Sequence, residues 1–232
     1  LAAAAAALVL AVRASGPPPA AAIRESVESL YGRVQVVDAG PARYLLVDGT
    51  LQSDMDRATG LSAAEYDRAL EWALALRPRA RRALALGLGA GLLPDALQRD
   101  GLTVDAVELD PEILRAAKAW FGYAPNGRVT VGDARVVLER GNGGPWDLIV
   151  LDAFGAESPP AHLFTREAFA RMREALAPGG ILAVNLVTAV DGRDGAPWRA
   201  TLKTLRAAFP NARAFVASEP RDGLANVLFF AS

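Results

Sequence analysis

The chain has 232 residues, 52% of them apolar, and a formal net charge of −1 from 25 basic and 26 acidic side chains. That length and composition suit one good-sized core with a small appendage, and the balanced charge leaves no basic field for nucleic acid. Cysteine is absent and His162 is the single histidine, which excludes disulfides, thiolate metal sites and histidine-rich metal sites.

At the N-terminus, Leu1 to Val12 carries no polar residue, and Arg13 and Pro17-Pro18-Pro19 follow. Such a run is shorter than the about 20 residues a bilayer-spanning helix needs. The expectation is the tail of a membrane helix with Arg13 on the cytoplasmic side. An alanine-rich helix packed on the body, or a signal remnant, are the alternatives. Residues 14–24 read as a linker, setting residues 1–24 apart. On that reading the folded part is cytoplasmic, tethered to the inner face of a membrane. Its expected partners are a small-molecule substrate and a covalently linked membrane domain, with a homodimer left open and no nucleic acid.

Residues 25–60 change period. Val34 and Val36, then Tyr44 and Leu46, alternate with their neighbours around a turn at Asp38-Ala39-Gly40-Pro41, and Asp48-Gly49 marks a second tight turn. This predicts a small N-terminal β-hairpin unit. Ser62-Ala63-Ala64-Glu65 reads as a capping box opening a helix that carries Tyr66, Ala69, Leu70, Ala73 and Leu74 and ends near Pro78.

Residues 61–232 are expected to form the main domain. Strand candidates are 82–87, 103–108, 128–132, 147–151, 180–187, 212–217 and 225–231. Helices are expected at 91–99, 111–120, 134–140, 166–176 and 197–208, with Asp110-Pro111 and Thr165-Arg166-Glu167 as starts and Ala177-Pro178-Gly179-Gly180 as a stop and turn. The alternation implies an α/β fold around a mainly parallel sheet, and apolar runs such as Leu148-Ile149-Val150-Leu151 fit strands buried on both faces.

The densest signal is Leu84-Ala85-Leu86-Gly87-Leu88-Gly89-Ala90-Gly91, followed by Val107-Glu108-Leu109-Asp110. A strand running into a glycine-rich turn, with an acid about twenty positions on, builds a nucleoside pocket. Leu92 stands where the dinucleotide fingerprint wants its third glycine, which favours S-adenosylmethionine over NAD. Glu108 can accept both ribose hydroxyls. Asp133, after its strand, can cap a helix and accept the exocyclic amine of adenine. Asp152 ends an apolar strand, where a lone carboxylate would lie at the crevice floor. Residues 152–164 make a long strand-to-helix connection of the kind that often binds ligand. His162, within it, has no partner visible in sequence and reads as a surface or structural residue.

From about Tyr31 to Leu186 the chain resembles the spermidine synthase family, the polyamine aminopropyltransferases. Tyr44-Leu45-Leu46-Val47-Asp48-Gly49-Thr50-Leu51-Gln52-Ser53 is similar to that family's hairpin ending in Asp-Gly-x-x-Gln, Trp146–Asp152 to the strand ending in its catalytic aspartate, and Leu163-Phe164 to the Leu-Phe that closes the following loop. The resemblance implies a Rossmann-like class I S-adenosylmethionine-dependent transferase fold with a seven-stranded, mostly parallel sheet. It implies Asp152 as catalytic residue, and Gln52, Gly87, Gly89, Gly91, Glu108, Asp133 and Ala134 as cofactor-binding residues. Tyr66 and Glu157 are candidate substrate contacts, and no metal is expected.

Three departures stand out. Ala90 replaces an aspartate of the glycine loop, Gly155 replaces a second aspartate after the catalytic one, and the usual Tyr-His-Glu reads Tyr66-Asp67-Arg68. Acids that would hold ammonium groups are therefore missing, with Glu65, Asp67 or Glu157 as candidate replacements. A sulfonium offers three carbons to displacement, and attack on the propyl chain releases neutral methylthioadenosine with no general acid. An amine nucleophile must lose its proton, and Asp152 would take it. Alanine in place of an aspartate at position 90 also removes a repulsion, so the carboxylate of intact S-adenosylmethionine could occupy that space, which suggests the intact cofactor in place of the decarboxylated form. That opens transfer of an aminopropyl-type group or cyclisation to a lactone. Methyl transfer and a non-catalytic nucleotide-binding module are the alternatives.

Overall fold

The computed structural model describes residues 21–141, 143–153, 159–192, 195–217 and 223–232. The apolar segment expected to be a membrane-helix tail, and Glu157 and Gly155, lie outside them. Among the described residues no helix is long and apolar enough to cross a membrane.

The N-terminal unit is a four-stranded antiparallel meander of β1 (Ala21–Ser29), β2 (Gly32–Ala39), β3 (Ala42–Val47) and β4 (Thr50–Asp56). Both expected turns are present. Asp48 (φ 49°) and Gly49 (φ 74°) form the tight β3–β4 connection, a left-handed pair whose twist suits a two-residue hairpin. β1 is an additional strand, beginning at Ala21 inside the stretch read as linker. In the β3–β4 pair Leu45 faces Ser53 but Leu46 faces Leu51. Gln52 is therefore the extra residue of a bulge, a device that re-aims side chains beside sites.

The helical start differs from expectation. Ser62 Oγ accepts the N–H of Ala64 at 3.1 Å, so Ser62 makes a local turn in place of a capping box. Ala64 caps α1 (Glu65–Leu70) without a side-chain bond, and α2 (Trp72–Leu76) follows a break at Glu71.

The main sheet contains β5 (Arg82–Leu86), β6 (Thr103–Glu108), β7 (Val129–Val131), β8 (Trp146–Leu151), β9 (Leu176–Ala189), β10 (Ala212–Val216) and β11 (Leu224–Ala231), in the order β10-β11-β9-β8-β5-β6-β7. Pairs β5–β6, β6–β7, β5–β8 and β8–β9 are parallel, and β11 runs antiparallel to both neighbours. Helices α3 (Leu92–Arg99), α4 (Pro111–Trp120), α5 (Ala134–Arg140), α6 (Arg166–Ala175) and α7 (Ala196–Ala208) alternate with the strands. Asp110 and Thr165 cap α4 and α6 as expected. Ala177–Gly180 forms no free turn. It bulges within β9, whose register against β8 jumps from Leu176 opposite Trp146 to Ile181 opposite Leu148.

Two apolar layers cover the sheet, one around Ile149, Leu151, Phe169 and Phe229, the other around Leu97, Val104, Leu148 and Val150. A third cluster joins Val34, Val36 and Leu45 of the small sheet to Ala90, Leu92 and Ala116. That contact seats β4 over the glycine loop. The strand order reverses between β5 and β8, and a doubly wound sheet takes its ligand at such a point, outside the strands' carboxyl ends.

Gly87 has φ +97°, and a Cβ there would overlap the carbonyl of Asp152. Gly87→Ala is therefore expected to force the ends of β5 and β8 apart and to cost about 2 kcal/mol or more. Equilibrium denaturation checks this, and an unchanged midpoint would show that the two chain segments yield freely.

Candidate active site

A cleft opens at the carboxyl ends of β5–β8, with an empty volume of about 950 Å³, its mouth included, a size suited to a nucleoside-bearing ligand. Gly87 and Gly89 form one wall and Gln52 and Ser53 of the β4 bulge another. Ser53 Oγ accepts the N–H of Ala90 at 3.0 Å, which pins the small sheet to the glycine loop.

Glu108 ends β6 and is only 6% exposed. Its Oε2 accepts the N–H of Leu88 at 3.0 Å and its Oε1 that of Asp110 at 2.9 Å. Burial pushes its pKa up, while these backbone donors pull it back. The carboxylate is held in place with lone pairs to spare for hydroxyl donors. Asp133 caps α5, its Oδ1 accepting N–H groups of Arg135 and Val136. Ala134, the first residue of that helix, also lines the cleft.

Asp152 follows β8 at the floor. Asn185 Nδ2 donates to its Oδ1 at 2.8 Å, and Asn226 Nδ2 donates to Asn185 Oδ1 at 3.0 Å. Accepting from Asn226 leaves the Asn185 amide no choice but to present its NH₂ to Asp152. The Tyr66 hydroxyl, from α1, also bonds to Asp152. Burial raises the pKa of Asp152, opposed by the Asn185 and Tyr66 bonds. Burial and the adjacent Asp152 charge raise Tyr66 well above an ordinary phenol.

Asp67, one residue on, lines the same floor at 7% exposure. Its pKa is pushed up to about 7, first by burial and then by Asp152, with Asp54 and Glu71 adding to the effect. Of the candidates to replace the missing acids, Asp67 reaches the cleft, and Glu65 is exposed and does not line it. Among the described residues the lining holds Asp67, Glu108, Asp133 and Asp152, the single imidazole of His162, and neither lysine nor arginine. Buried acids without basic partners are costly unless a cation joins them, so the arrangement suits a positively charged ligand.

Several expectations need correction. Ala90 is 1% exposed and packs in the cluster with Val34, Val36 and Leu45. It does not line the cleft, so its small side chain creates no space for a ligand carboxylate. Gly91 caps α3 with φ 79°, and a Cβ there would press on the Tyr123 ring. It shapes the turn without lining the cleft. His162 does have a partner, its Nε2 lying 3.0 Å from Asp133 Oδ2. Sequence reasoning also passed over Asn185, although an asparagine inside the apolar run Ala183-Val184-Asn185-Leu186 signals a buried polar role.

The seven-stranded sheet, with its cleft at the switch point, defines a Rossmann-like fold of the class I S-adenosylmethionine-dependent transferase type. No family model matches the chain. It is similar to the polyamine aminopropyltransferase of Vibrio vulnificus (strain CMCP6), 39% identical over 118 residues, 48% of this chain and 40% of that protein. It is also similar to the probable polyamine aminopropyl transferase of Bifidobacterium longum (strain NCC 2705), 31% identical over 198 residues, 83% of this chain and 44% of that protein. Among solved structures, a probable spermidine synthase from Corynebacterium glutamicum ATCC 13032 matches with a TM-score of 0.74 at 24% identity, covering 91% of this chain and 80% of that one. Human methyltransferase-like protein 13 in complex with SAH matches with a TM-score of 0.62 at 25% identity, covering 73% and 82%. The chain is spermidine-synthase-like in sequence and fold, and it spans less than half the length of these two curated relatives.

Asp67 gives a test of the cleft's electrostatics. An acid whose folded pKa lies above its unfolded value holds more protons when folded, so stability falls as pH rises from about 4 to about 7. Asp67→Asn is expected to remove that fall and to melt several degrees above the parent chain at pH 8, with little gain at pH 4. Melting curves across this range check it, and parallel pH profiles would contradict the burial of charge at this position.

Proposed function

We propose that the cleft binds an adenosyl sulfonium and that Asp152 assists displacement of its three-carbon chain by an amine, with methylthioadenosine as the product. Glu108 accepts the ribose hydroxyls, Asp133 the adenine amine, and Gln52 faces the methionine-derived chain. A charged acceptor with two hydroxyl donors contributes roughly 3 kcal/mol when well formed. The amine lone pair forms the new C–N bond, the C–S bond breaks, and its electron pair stays on sulfur as a neutral thioether. The proton leaving nitrogen passes to an Asp152 oxygen. The observation that carries this reading is the position of Asp152, half-buried at the floor of a cleft whose described lining holds no lysine or arginine, and oriented by Asn185 and Tyr66.

The same electrostatics favour the decarboxylated cofactor over intact S-adenosylmethionine. A ligand carboxylate at the floor would meet Asp67 and Asp152 with no lysine or arginine among the described lining residues, and the buried Ala90 gives it no room. Cyclisation to a lactone needs that carboxylate and is disfavoured on the same ground. Methyl transfer is the second reading, favoured by the likeness to the methyltransferase-like protein, and it would leave S-adenosylhomocysteine. A purely binding module would turn over neither cofactor.

Incubation with intact or decarboxylated cofactor, with and without putrescine, followed by mass spectrometry of the adenosine product, separates these readings. The expected outcome is methylthioadenosine from the decarboxylated cofactor only when an amine is present. Methylthioadenosine formed from the intact cofactor without amine would point to cyclisation, and S-adenosylhomocysteine to methyl transfer. Asp152→Asn is expected to lower turnover by about 10²–10⁴ with nucleoside affinity kept within a few-fold. Glu108→Gln should weaken methylthioadenosine binding about tenfold or more, read by calorimetry. An equal loss of binding in Asp152→Asn would make that residue structural.

A further inference from the structure

His162 stands apart from the residues used so far. It is the only imidazole in the chain, it lines the cleft, and its Nε2 lies 3.0 Å from Asp133 Oδ2. The other oxygen of Asp133 is already committed, because Oδ1 accepts the N–H of Arg135 at 2.7 Å and of Val136 at 3.3 Å. With backbone donors on Oδ1 and the imidazole nitrogen against Oδ2, both ends of the carboxylate are in contact with the protein.

The imidazole is itself anchored independently of Asp133. It sits on a single 3₁₀ turn, Ala161–Leu163. Leu163, 2% exposed, is buried in the main core. Arg135 Nη1 reaches back from α5 to the His162 carbonyl at 3.4 Å and to Thr165 Oγ1 at 3.2 Å. Arg135 thus ties α5 to the turn and to the residue that caps the next helix, Leu163 seats the turn in the core, and the side chain of His162 is presented to Asp133 by a backbone held on its own account.

We infer that His162 sets base selectivity in the cleft: by holding the Asp133 carboxylate in one orientation, it leaves Oδ2 an acceptor with room for one donor at the 6-position of the base, where a 6-amino purine has an N–H and a 6-oxo purine has an oxygen. The inference rests on the nucleoside reading proposed above and adds a positioning residue to it. A 6-oxo base turns an oxygen toward Oδ2, acceptor against acceptor, and a fixed carboxylate has no way to avoid it. A site built around a hydrogen bond rejects a ligand that cannot make it far more strongly than an apolar pocket rejects a misfit. Without the imidazole, Asp133 Oδ2 is solvated and a water can bridge it to either kind of base. An imidazole can carry a proton on Nε2 in its neutral form as well as in the imidazolium, so the device does not require a charged histidine.

The test is calorimetric titration of the chain and its His162→Ala and His162→Gln variants with methylthioadenosine and with methylthioinosine, its 6-oxo counterpart. The parent chain should prefer the adenosine form by about a hundredfold. In His162→Ala the Kd for methylthioadenosine should rise about fivefold, that for methylthioinosine should stay or fall, and the preference should shrink to roughly tenfold or less. His162→Gln, which keeps an N–H donor, should recover part of the preference. Melting temperatures should barely move, since the helix cap runs through Oδ1; a merely structural role would lower them and leave the preference intact. An unchanged preference in His162→Ala overturns the inference. So does tighter methylthioadenosine binding, which would mean that the imidazole occupies the base's place. If the parent chain binds neither nucleoside, the proposed function fails and this inference with it; normal binding with an unaltered preference fails the inference alone.

Discussion

The placing of half-buried Asp152 beside buried Asp67, in a cleft whose described lining offers no lysine or arginine, is the constraint on which the site depends. Like charges in a dry setting resist ionising together. Hydrogen bonds from Asn185 and Tyr66 favour the ionised form of Asp152, and burial opposes it. Burial and the neighbouring Asp152 push Asp67 up to about 7. The pair is thereby divided into one oriented acceptor and one acid easily protonated, and an incoming ammonium or sulfonium relieves both. A neutral or anionic ligand would leave the cost in place.

The architecture serves this arrangement by bringing backbone close to backbone. Gly87 lets β5 end against the Asp152 carbonyl, and Gly89 makes room for the Ser53 hydroxyl. The bulge at Gln52 turns β4 toward the cleft while Val34, Val36 and Leu45 fasten the small sheet to α3 and α4. Opposite, Arg135 and the Leu163 side chain secure the turn that carries His162. The cleft therefore has three walls set by packing that is independent of any ligand, which lowers the ordering cost of binding.

The main sheet was legible because its strands are apolar runs and its helices keep a clear period, so their bounds fall within a few residues of expectation. Glu108, Asp133 and Asp152 were legible for a related reason: polar residues at the ends of buried strands have few places to go but the crevice. β1 was not legible, since it is an edge strand with only Ile23 and Val27 as large apolar residues and charges at Arg24, Glu25 and Glu28. The Ser62 capping pattern misled because the same hydroxyl serves a local turn as readily as a helix start. Side-chain direction was hidden too. A loop alanine gives no sign of which side it faces, and Ala90 faces the small sheet's core. Contacts across 29 positions, such as His162 with Asp133, leave no spacing to read.

The likeness to aminopropyltransferases and to a methyltransferase-like protein places two chemistries on one scaffold, and they differ in which sulfonium carbon faces the acceptor. The proposed chemistry requires Asp152 to stand beside the propyl chain. A crystal structure of the chain with decarboxylated S-adenosylmethionine tests this most directly. The expected density has ribose hydroxyls on Glu108, the adenine amine on Asp133, and the propyl carbon attached to sulfur open to a nucleophile held by Asp152. A nucleoside seated with its methyl group toward Asp152 and the propyl chain turned away, or bound outside this cleft, would contradict it.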